Sequence, residues 1–137
     1  MAVLSFNPVN TPPPAEGFSH ATRARGDIIH LSGQVGVDES GAVVPGGLAA
    51  QTEQALLNLC RAVESAGGQA EDLVSVRFYV VDWKPELFGE LMAGGQAAGR
   101  KYQLPEVAVT LVGVASLFTS EHLIEVDGVA VVEPADG

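Results

Sequence analysis

Residues 31–37 read Leu-Ser-Gly-Gln-Val-Gly-Val, and Leu31 ends an apolar run that begins at Asp27. Asp-Glu-Ser-Gly follows at 38–41 and is a tight-turn signal. Glycine inside a strand marks a β-bulge or a place where another group comes close to the backbone. Ser32 and Gly33 therefore have two interpretations. They form a structural bulge near the end of a strand, or they offer a hydroxyl and a backbone N–H to a polar ligand group.

The residues before this stretch predict an extended arm and a hairpin. Residues 1–16 contain Pro8 and a run of three prolines, which are incompatible with a helix interior. Residues 17–25 predict a strand, and residues 28–37 predict its antiparallel partner across a Gly26-Asp27 turn.

Residues 46–66 carry the clearest helical pattern of the chain. Apolar side chains recur at i, i+3, i+4 and i+7 on one stripe, namely Leu56, Leu59, Cys60 and Val63. Gln51 and Asn58 fall on the opposite face, and Gly67 is a typical residue to end the helix. The position of Cys60 in the apolar stripe predicts a small buried hydrophobe rather than a nucleophile.

The second half of the chain predicts one further helix and three strands. Residues 73–81 alternate apolar and polar positions, as in a strand with one buried face. Residues 85–100 predict a helix that two adjacent glycines are expected to weaken. Residues 107–114 and 123–132 are apolar at almost every position, so we expect strands that are buried on both faces.

This order of elements predicts an α+β fold, with two helices packed on one face of a mixed β-sheet. The 137 residues predict a single domain over 1–137, with an arm at 1–16 and a tail at 134–137. Two helices cover only one face of such a sheet, yet the late strands are apolar on both. A second copy of the chain is therefore expected to cover the other face.

Charge and composition limit the possible partners. Seven Lys and Arg stand against seventeen Asp and Glu, giving a net charge of −10, which would repel a phosphate backbone and argues against nucleic acid. No apolar run approaches the roughly 20 residues of a membrane span. A single cysteine and an N-terminus without a basic segment predict a cytoplasmic protein. The three histidines lack metal-ligand spacing, so no metal site is expected.

Several short motifs occur in a characteristic order. They are Gly-Phe-Ser-His-Ala at 17–21, Gly-Asp-Ile-Ile-His-Leu-Ser-Gly-Gln at 26–34, Gln-Thr at 51–52, Val-Val-Asp at 80–82 and Leu-Ile-Glu-Val-Asp-Gly-Val-Ala at 123–130. This ordered set resembles the Rid/YjgF family, the reactive intermediate deaminases. The resemblance implies a chorismate-mutase-like fold and a homotrimer with ligand clefts between subunits. It also implies cofactor-free hydrolysis of imines and enamines, such as 2-aminoacrylate, to keto acids and ammonia.

Two departures from the family pattern affect the expected substrate. Val107 stands where the deaminases have an arginine that grips the substrate carboxylate, and Glu106 precedes it. A valine cannot replace the planar, bidentate guanidinium. Phe18 stands where a tyrosine is usual and lacks its hydroxyl. We therefore expect weak or no activity on 2-aminoacrylate. A non-catalytic homotrimer that binds a small molecule is the alternative, and an endoribonuclease, a name that some relatives carry, is disfavoured by the charge.

Glu125 matches the family's glutamate of the last strand and is the candidate catalytic residue, able to exchange protons with a water. The alternative is a glutamate that faces solvent or pairs across an interface. Asp127 is expected to be structural or exposed, Arg77 to form a surface salt bridge, and His122 to lie on a strand surface. A core position is the alternative for Phe88. The candidate substrate-binding residues are Ser32, Gly33, Phe18, His20, Phe88 and Val107.

Overall fold

The computed structural model describes residues 3–15 and 17–134, so parts of the predicted arm and tail lie outside the described residues. The division into a single domain stays a prediction. A short 3-10 turn at Ala70–Asp72 leads into the strand that begins at Leu73. A second one, at Pro85–Leu87, leads into the helix that begins at Phe88. The elements in chain order are β1 (Leu4–Phe6), β2 (Phe18–Ser19), β3 (Ala21–Arg23), β4 (Asp27–Val35), α1 (Gly47–Ser65), β5 (Leu73–Val81), α2 (Phe88–Gly99), β6 (Val107–Val114) and β7 (Ile124–Val132).

A five-stranded mixed sheet forms the centre of the fold, in the order β2-β6-β5-β7-β4. β5 runs parallel to β6 and antiparallel to β7, while β4 is antiparallel to β7 at one edge. At the other edge β2 pairs in parallel with β6, where Phe18 stands beside Val107. Both helices pack on one face of this sheet, which confirms the predicted α+β fold.

The predicted hairpin between residues 17–25 and 28–37 is wrong. Among the described residues β3 pairs with β1, through Ser5 and Thr22 for example, whereas β4 pairs along its length with β7. Gly26 has a φ of 146°, and a Cβ built on it would stand 2.0 Å from the Val132 carbonyl oxygen. The chain at Gly26 therefore passes directly beside the end of β7 and enters a long antiparallel ladder there.

The predicted first helix is confirmed as α1, and its apolar stripe is buried against the sheet. Cys60 has no exposed surface, and this burial raises the pKa of its thiol to about 12, so the interpretation as a buried hydrophobe holds. Part of the polar face is also occupied by contacts within the fold. Gln51 is 4% exposed and bonds the backbone on both sides of His122, while Asn58 Nδ2 donates to the carbonyl oxygens of Val35 and Val37 at 3.1 and 2.9 Å.

The second helix runs through both of its adjacent glycines without interruption. Gly94 is where α2 crosses α1, because a Cβ there would lie 2.5 Å from the Ala49 carbonyl oxygen and from Thr52 Cβ. One of the two positions that were expected to weaken the helix is therefore a point of close helix–helix contact.

The two faces of the sheet differ sharply in burial. Ile124, Val126 and Ala130 are fully buried beneath the helices. The opposite face carries exposed apolar groups within the single chain, since Ile28 is 63% and Val112 39% exposed. The strands β6 and β7 were expected to be buried on both faces. In the single chain they are buried only on the face that the helices cover. We call the uncovered side the open face; it includes Ile28, His30, Arg77, Tyr79, Val112, Glu125, Asp127 and Val129.

Candidate functional site

Ser32 and Gly33 form a β-bulge in β4. Leu31 pairs with Gly128 and Gln34 pairs with Val126, so the two residues between them on β4 face the single residue Asp127 on β7. The structural interpretation of this stretch is therefore correct. The ligand-binding interpretation is untested and stays a prediction.

The Glu125 carboxylate lies against this bulge. A Cβ built on Gly33 would stand 2.0 Å from Glu125 Oε2 and 2.7 Å from Glu125 Cδ, so only glycine leaves room for the carboxylate in this position. Glu125 is partly buried on the open face. Within the described part of the chain no donor hydrogen-bonds its carboxylate. It is therefore available to a ligand or a water.

Asp127, the next residue of β7 on the same face, is already engaged. Arg77 Nε donates to Asp127 Oδ1 at 2.9 Å and its Nη2 donates to Oδ2 at 3.2 Å, which raises the pKa of Arg77. The Tyr79 hydroxyl donates to Asp127 Oδ2 at 3.1 Å. Burial, followed by this bond to Asp127, raises the pKa of Tyr79. Asp127 thus has the structural role expected of it, and Arg77 forms the expected salt bridge.

Phe18 and Val107 stand side by side at a cavity on the other face of the sheet, between the strands and α2. Val107 is only 6% exposed. The cavity has a volume of about 270 Å³. We call it the helix-side cavity; its lining includes Phe18, Leu56, Phe78, Leu91, Met92, Gly95, Gln96, Gly99, Leu104, Glu106, Val107 and Val109.

The two remaining candidates, His20 and Phe88, line neither the bulge nor the cavity. His20 Nε2 lies 2.6 Å from the Pro12 carbonyl oxygen, and the His20 backbone N–H donates to Asn7 Oδ1 at 2.9 Å. The imidazole is therefore bound to the arm. Phe88 begins α2 and is 38% exposed, so the alternative of a core position is wrong.

The site residues consequently fall into two groups on opposite faces of one sheet. Ser32, Gly33 and Glu125 lie on the side of the open face, and Phe18 and Val107 lie on the helix side. Strand residues alternate between faces, so no side-chain movement within one chain brings Glu125 and Val107 into one cleft.

Sequence reasoning missed several residues near these groups. His122 was expected on a strand surface, but it is buried just before β7, and within the described chain its Nδ1 has no hydrogen-bond partner. Gly95 and Gly99 line the helix-side cavity. From the sequence, Gly95 was considered only as a residue that weakens the helix, and no prediction was made for Gly99. Their spacing with Met92 and Gln96, at i, i+3, i+4 and i+7, was the signal that marks them as one face.

No three His, Cys, Asp or Glu side chains come together as a potential metal site in the ranges that the structure describes. Neither described helix combines the length and apolar character of a bilayer-crossing segment.

Comparison with known proteins places this architecture. A family model described as "Endoribonuclease L-PSP" matches residues 9–132. The crystal structure of YyfB from Yersinia pestis, a Rid-family protein of unknown function, shares 32% identity with this chain at a TM-score of 0.85. The match covers 96% of this chain and 100% of that one. The chain belongs to the Rid/YjgF family. Its α+β architecture is accordingly the YjgF fold, as the motif order implied.

Two relatives within the family are named as deaminases. The "2-iminobutanoate/2-iminopropanoate deaminase" of Dermatophagoides farinae is 28% identical over 123 residues, covering 89% of this chain and 91% of the relative. The "3-aminoacrylate deaminase RutC" of Acinetobacter baylyi is 35% identical over 77 residues, which cover 56% of this chain and 60% of the relative. Deamination of imines and enamines is thus an activity of the Rid/YjgF family.

Proposed function

We propose that this Rid-family protein hydrolyses a small imine or enamine without a cofactor, with Glu125 as the catalytic residue. One observation carries the proposal: the Glu125 carboxylate sits in the notch left by Gly33, without a hydrogen-bond donor from the described residues. A carboxylate in this state can take a proton from an attacking water. The names of the two deaminase relatives support the same reaction class.

The chemistry needs few protein groups. Water adds to the carbon of the C=N bond while Glu125 accepts a proton from it. The protonated carboxyl returns that proton to the nitrogen, which gives a carbinolamine. Glu125 then takes the proton of the carbinolamine hydroxyl and passes it to the nitrogen, so the C–N bond breaks and ammonia leaves as the C=O bond forms. The Ser32 hydroxyl and the Gly33 N–H would hold the polar group of the substrate during these steps.

A cleft that joins both groups of site residues requires a neighbouring copy of the chain. The open face presents exposed Ile28 and Val112, and covering them would bury apolar surface. The same contact would bring Glu125 of one copy towards Phe18 and Val107 of the next. A homotrimer with three such clefts closes this head-to-tail arrangement.

The proposed cleft lacks the cation that an imino-acid substrate needs. Val107 is apolar and buried, and its neighbour Glu106 is anionic. Arg77 is committed to Asp127 on the open face. We therefore expect weak or no activity on carboxylate-bearing substrates such as 2-aminoacrylate.

Val107 also favours a second candidate, a homotrimer that binds a small molecule without turning it over. Because Val107 replaces the arginine that grips the substrate carboxylate, the binding energy that would position an imino acid for attack by water is missing. An endoribonuclease is disfavoured despite the description of the family model, because a net charge of −10 opposes RNA binding.

The test compares wild type with Glu125→Gln on imines generated in situ by oxidases, following carbonyl release above the spontaneous rate. Glu39→Gln, the same change in an exposed turn, is the control. We expect turnover that Glu125→Gln abolishes while light scattering shows an unchanged oligomer. Equal rates in both variants would exclude Glu125 from the reaction. Ligand binding without turnover of any imine would favour the binding protein, and a wild-type mass of 14.2 kDa would exclude the shared cleft.

A further inference from the structure

Two glycines of α2 keep the helix-side cavity open. Gly95 and Gly99 lie on the face of α2 that lines it, and a Cβ built on either would meet no atom within 4 Å. Each glycine in a helix interior costs about 1 kcal/mol relative to alanine. At Gly95, in the interior of α2, the helix is therefore less stable than it could be, and the space that side chains at Gly95 and Gly99 would occupy is left free.

Gly94, the neighbouring glycine of α2, is required by helix packing and not by the cavity. A Cβ at Gly94 would lie 2.5 Å from the Ala49 carbonyl oxygen, so α1 itself requires glycine at that position. No such contact restricts Gly95, the next residue along the chain. Contact with α1 therefore accounts for glycine at residue 94 but not at residue 95.

The walls of the cavity define what it accepts. They are largely aliphatic and aromatic, and among the described lining residues Glu106 is the only one with an ionisable side chain. An anion in the cavity would leave water and find no cation among the described lining residues, and the one ionisable residue there, Glu106, is itself acidic. The cavity therefore favours an apolar group without a carboxylate.

The volume sets the size of that group. A cavity of about 150 Å³ lined by Leu, Ile and Phe holds a benzene molecule. The helix-side cavity, at about 270 Å³, has room for an aromatic ring with a short alkyl chain. Phe18 and Phe78 lie in its wall, where they can contact such a ring.

We propose that the helix-side cavity holds the apolar substituent of the substrate, so that the substrate is a carboxylate-free imine. The hydrolysis of the C=N bond in this proposal rests on the function proposed above. The reaction is R–CH=NH + H2O → R–CHO + NH3, in which the C=N bond is replaced by C=O and Glu125 carries the protons. The reaction that supplies the substrate is then the two-electron oxidation of an apolar primary amine, carried out by a separate oxidase, rather than oxidation of an α-amino acid.

The first experiment uses two imines that differ by one carboxylate. Amine oxidase acting on 2-phenylethylamine and amino-acid oxidase acting on phenylalanine generate them in situ. We expect hydrolysis above the spontaneous rate to be at least about tenfold faster for the imine of 2-phenylethylamine, which corresponds to about 1.4 kcal/mol. Equal or faster hydrolysis of the phenylalanine imine would overturn the proposal.

The second experiment measures binding separately from turnover. 2-Phenylethanol is expected to shift the methyl NMR signals of Met92, Val107 and Val109, whereas 3-phenylpropanoate is not. Gly95→Leu fills the cavity from an unobstructed position and should abolish the shifts, and Gly95→Ala should weaken them. Gly89→Leu is the matched control, because Gly89 lies in the same helix, exposed and outside the cavity lining.

The two experiments separate the cavity from the chemistry. If 2-phenylethanol binds and Gly95→Leu blocks it while neither imine is hydrolysed, the cavity assignment stands and the proposed hydrolysis fails. If 2-phenylethanol leaves the cavity methyl signals unchanged, or if Gly95→Leu folds and leaves binding or hydrolysis unchanged, the cavity assignment is wrong.

Discussion

The Glu125 carboxylate occupies the place where any side chain at residue 33 would begin. Gly33 belongs to the bulge of β4, and Glu125 belongs to β7, the strand that pairs with it. The close contact is not a matter of backbone torsion, because Gly33 has no positive φ. Glycine is needed there for space alone, which links the bulge directly to the candidate catalytic group.

Gly33→Ala is expected to displace Glu125. The new Cβ would meet Glu125 Oε2 at 2.0 Å and Glu125 Cγ at 3.0 Å, so the side chain must adopt another rotamer. Because the displaced group is flexible, we expect a loss of about 1 kcal/mol in the free energy of unfolding, together with a large loss of imine turnover.

A double-mutant cycle tests the cause of that loss. In a Glu125→Ala background the alanine at residue 33 no longer meets a carboxylate, so Gly33→Ala should then have little effect on unfolding measured in urea. Additive costs in the double variant would show that the strain at residue 33 arises from the backbone rather than from Glu125.

Val107→Arg is expected to change the preference between substrates. A guanidinium at residue 107 could pair with a substrate carboxylate, so hydrolysis of the phenylalanine imine should rise relative to that of the 2-phenylethylamine imine. Val107→Met provides a long uncharged control and should keep the wild-type preference. The measurement is the ratio of kcat/KM for the two imines. An unchanged ratio in a folded Val107→Arg variant would show that residue 107 does not reach the carboxylate of the bound substrate.

Adjacent glycines in α2 should respond to alanine with opposite signs. Gly94→Ala forces a methyl group against Ala49 and Thr52 of α1, and we expect it to lower the free energy of unfolding by about 1–3 kcal/mol. Gly95→Ala adds a methyl group to open space and should stabilise the helix by up to about 1 kcal/mol. Chemical denaturation of both variants tests this; destabilisation by Gly95→Ala would mean that the cavity is narrower than the structure indicates.

The buried thiol of Cys60 should make stability fall at alkaline pH. Its pKa is about 12 in the folded chain against an ordinary value of 9.0, so folding favours the protonated thiol. This contribution is complete below pH 9 and is lost as the pH rises towards 12, at up to about 1.4 kcal/mol per pH unit.

Cys60→Ala isolates this effect, since the tyrosines that also titrate at high pH are present in both proteins. The difference in unfolding free energy between wild type and Cys60→Ala should shrink between about pH 9 and 12. A difference that is independent of pH over this range would contradict the raised pKa of Cys60.

Local patterns predicted individual elements well and their partners less well. The stripe through Leu59 and Cys60 identified α1 because a 3.6-residue period survives in any packing arrangement. The pairing of residues 27–35 was mispredicted because a Gly-Asp pair resembles a hairpin turn. The long ladder with β7, about a hundred residues further along the chain, was the better partner.

The site was predicted in parts but not in its geometry. Single residues such as Ser32, Glu125 and Val107 were identified from the motif order and from the departures within it. Their division between two faces depends on strand order and on the bulge at residues 32–33, neither of which a residue pattern specifies. The cavity was missed for a related reason: the spacing of Gly95 and Gly99 places them on one face of a helix but does not say whether that face packs against a neighbour or borders an empty space.

The separation of Glu125 and Val107 on opposite faces has a genetic consequence. If each cleft takes Glu125 from one subunit and its apolar pocket from a neighbour, two inactive chains can complement each other. Co-refolding Glu125→Gln with Gly95→Leu chains should give wild-type clefts at about one quarter of the positions, from random mixing in a symmetric ring. Measurable activity from this mixture would show that two subunits contribute residues to each active site. A mixture that stays inactive would show that each active site is formed by one chain.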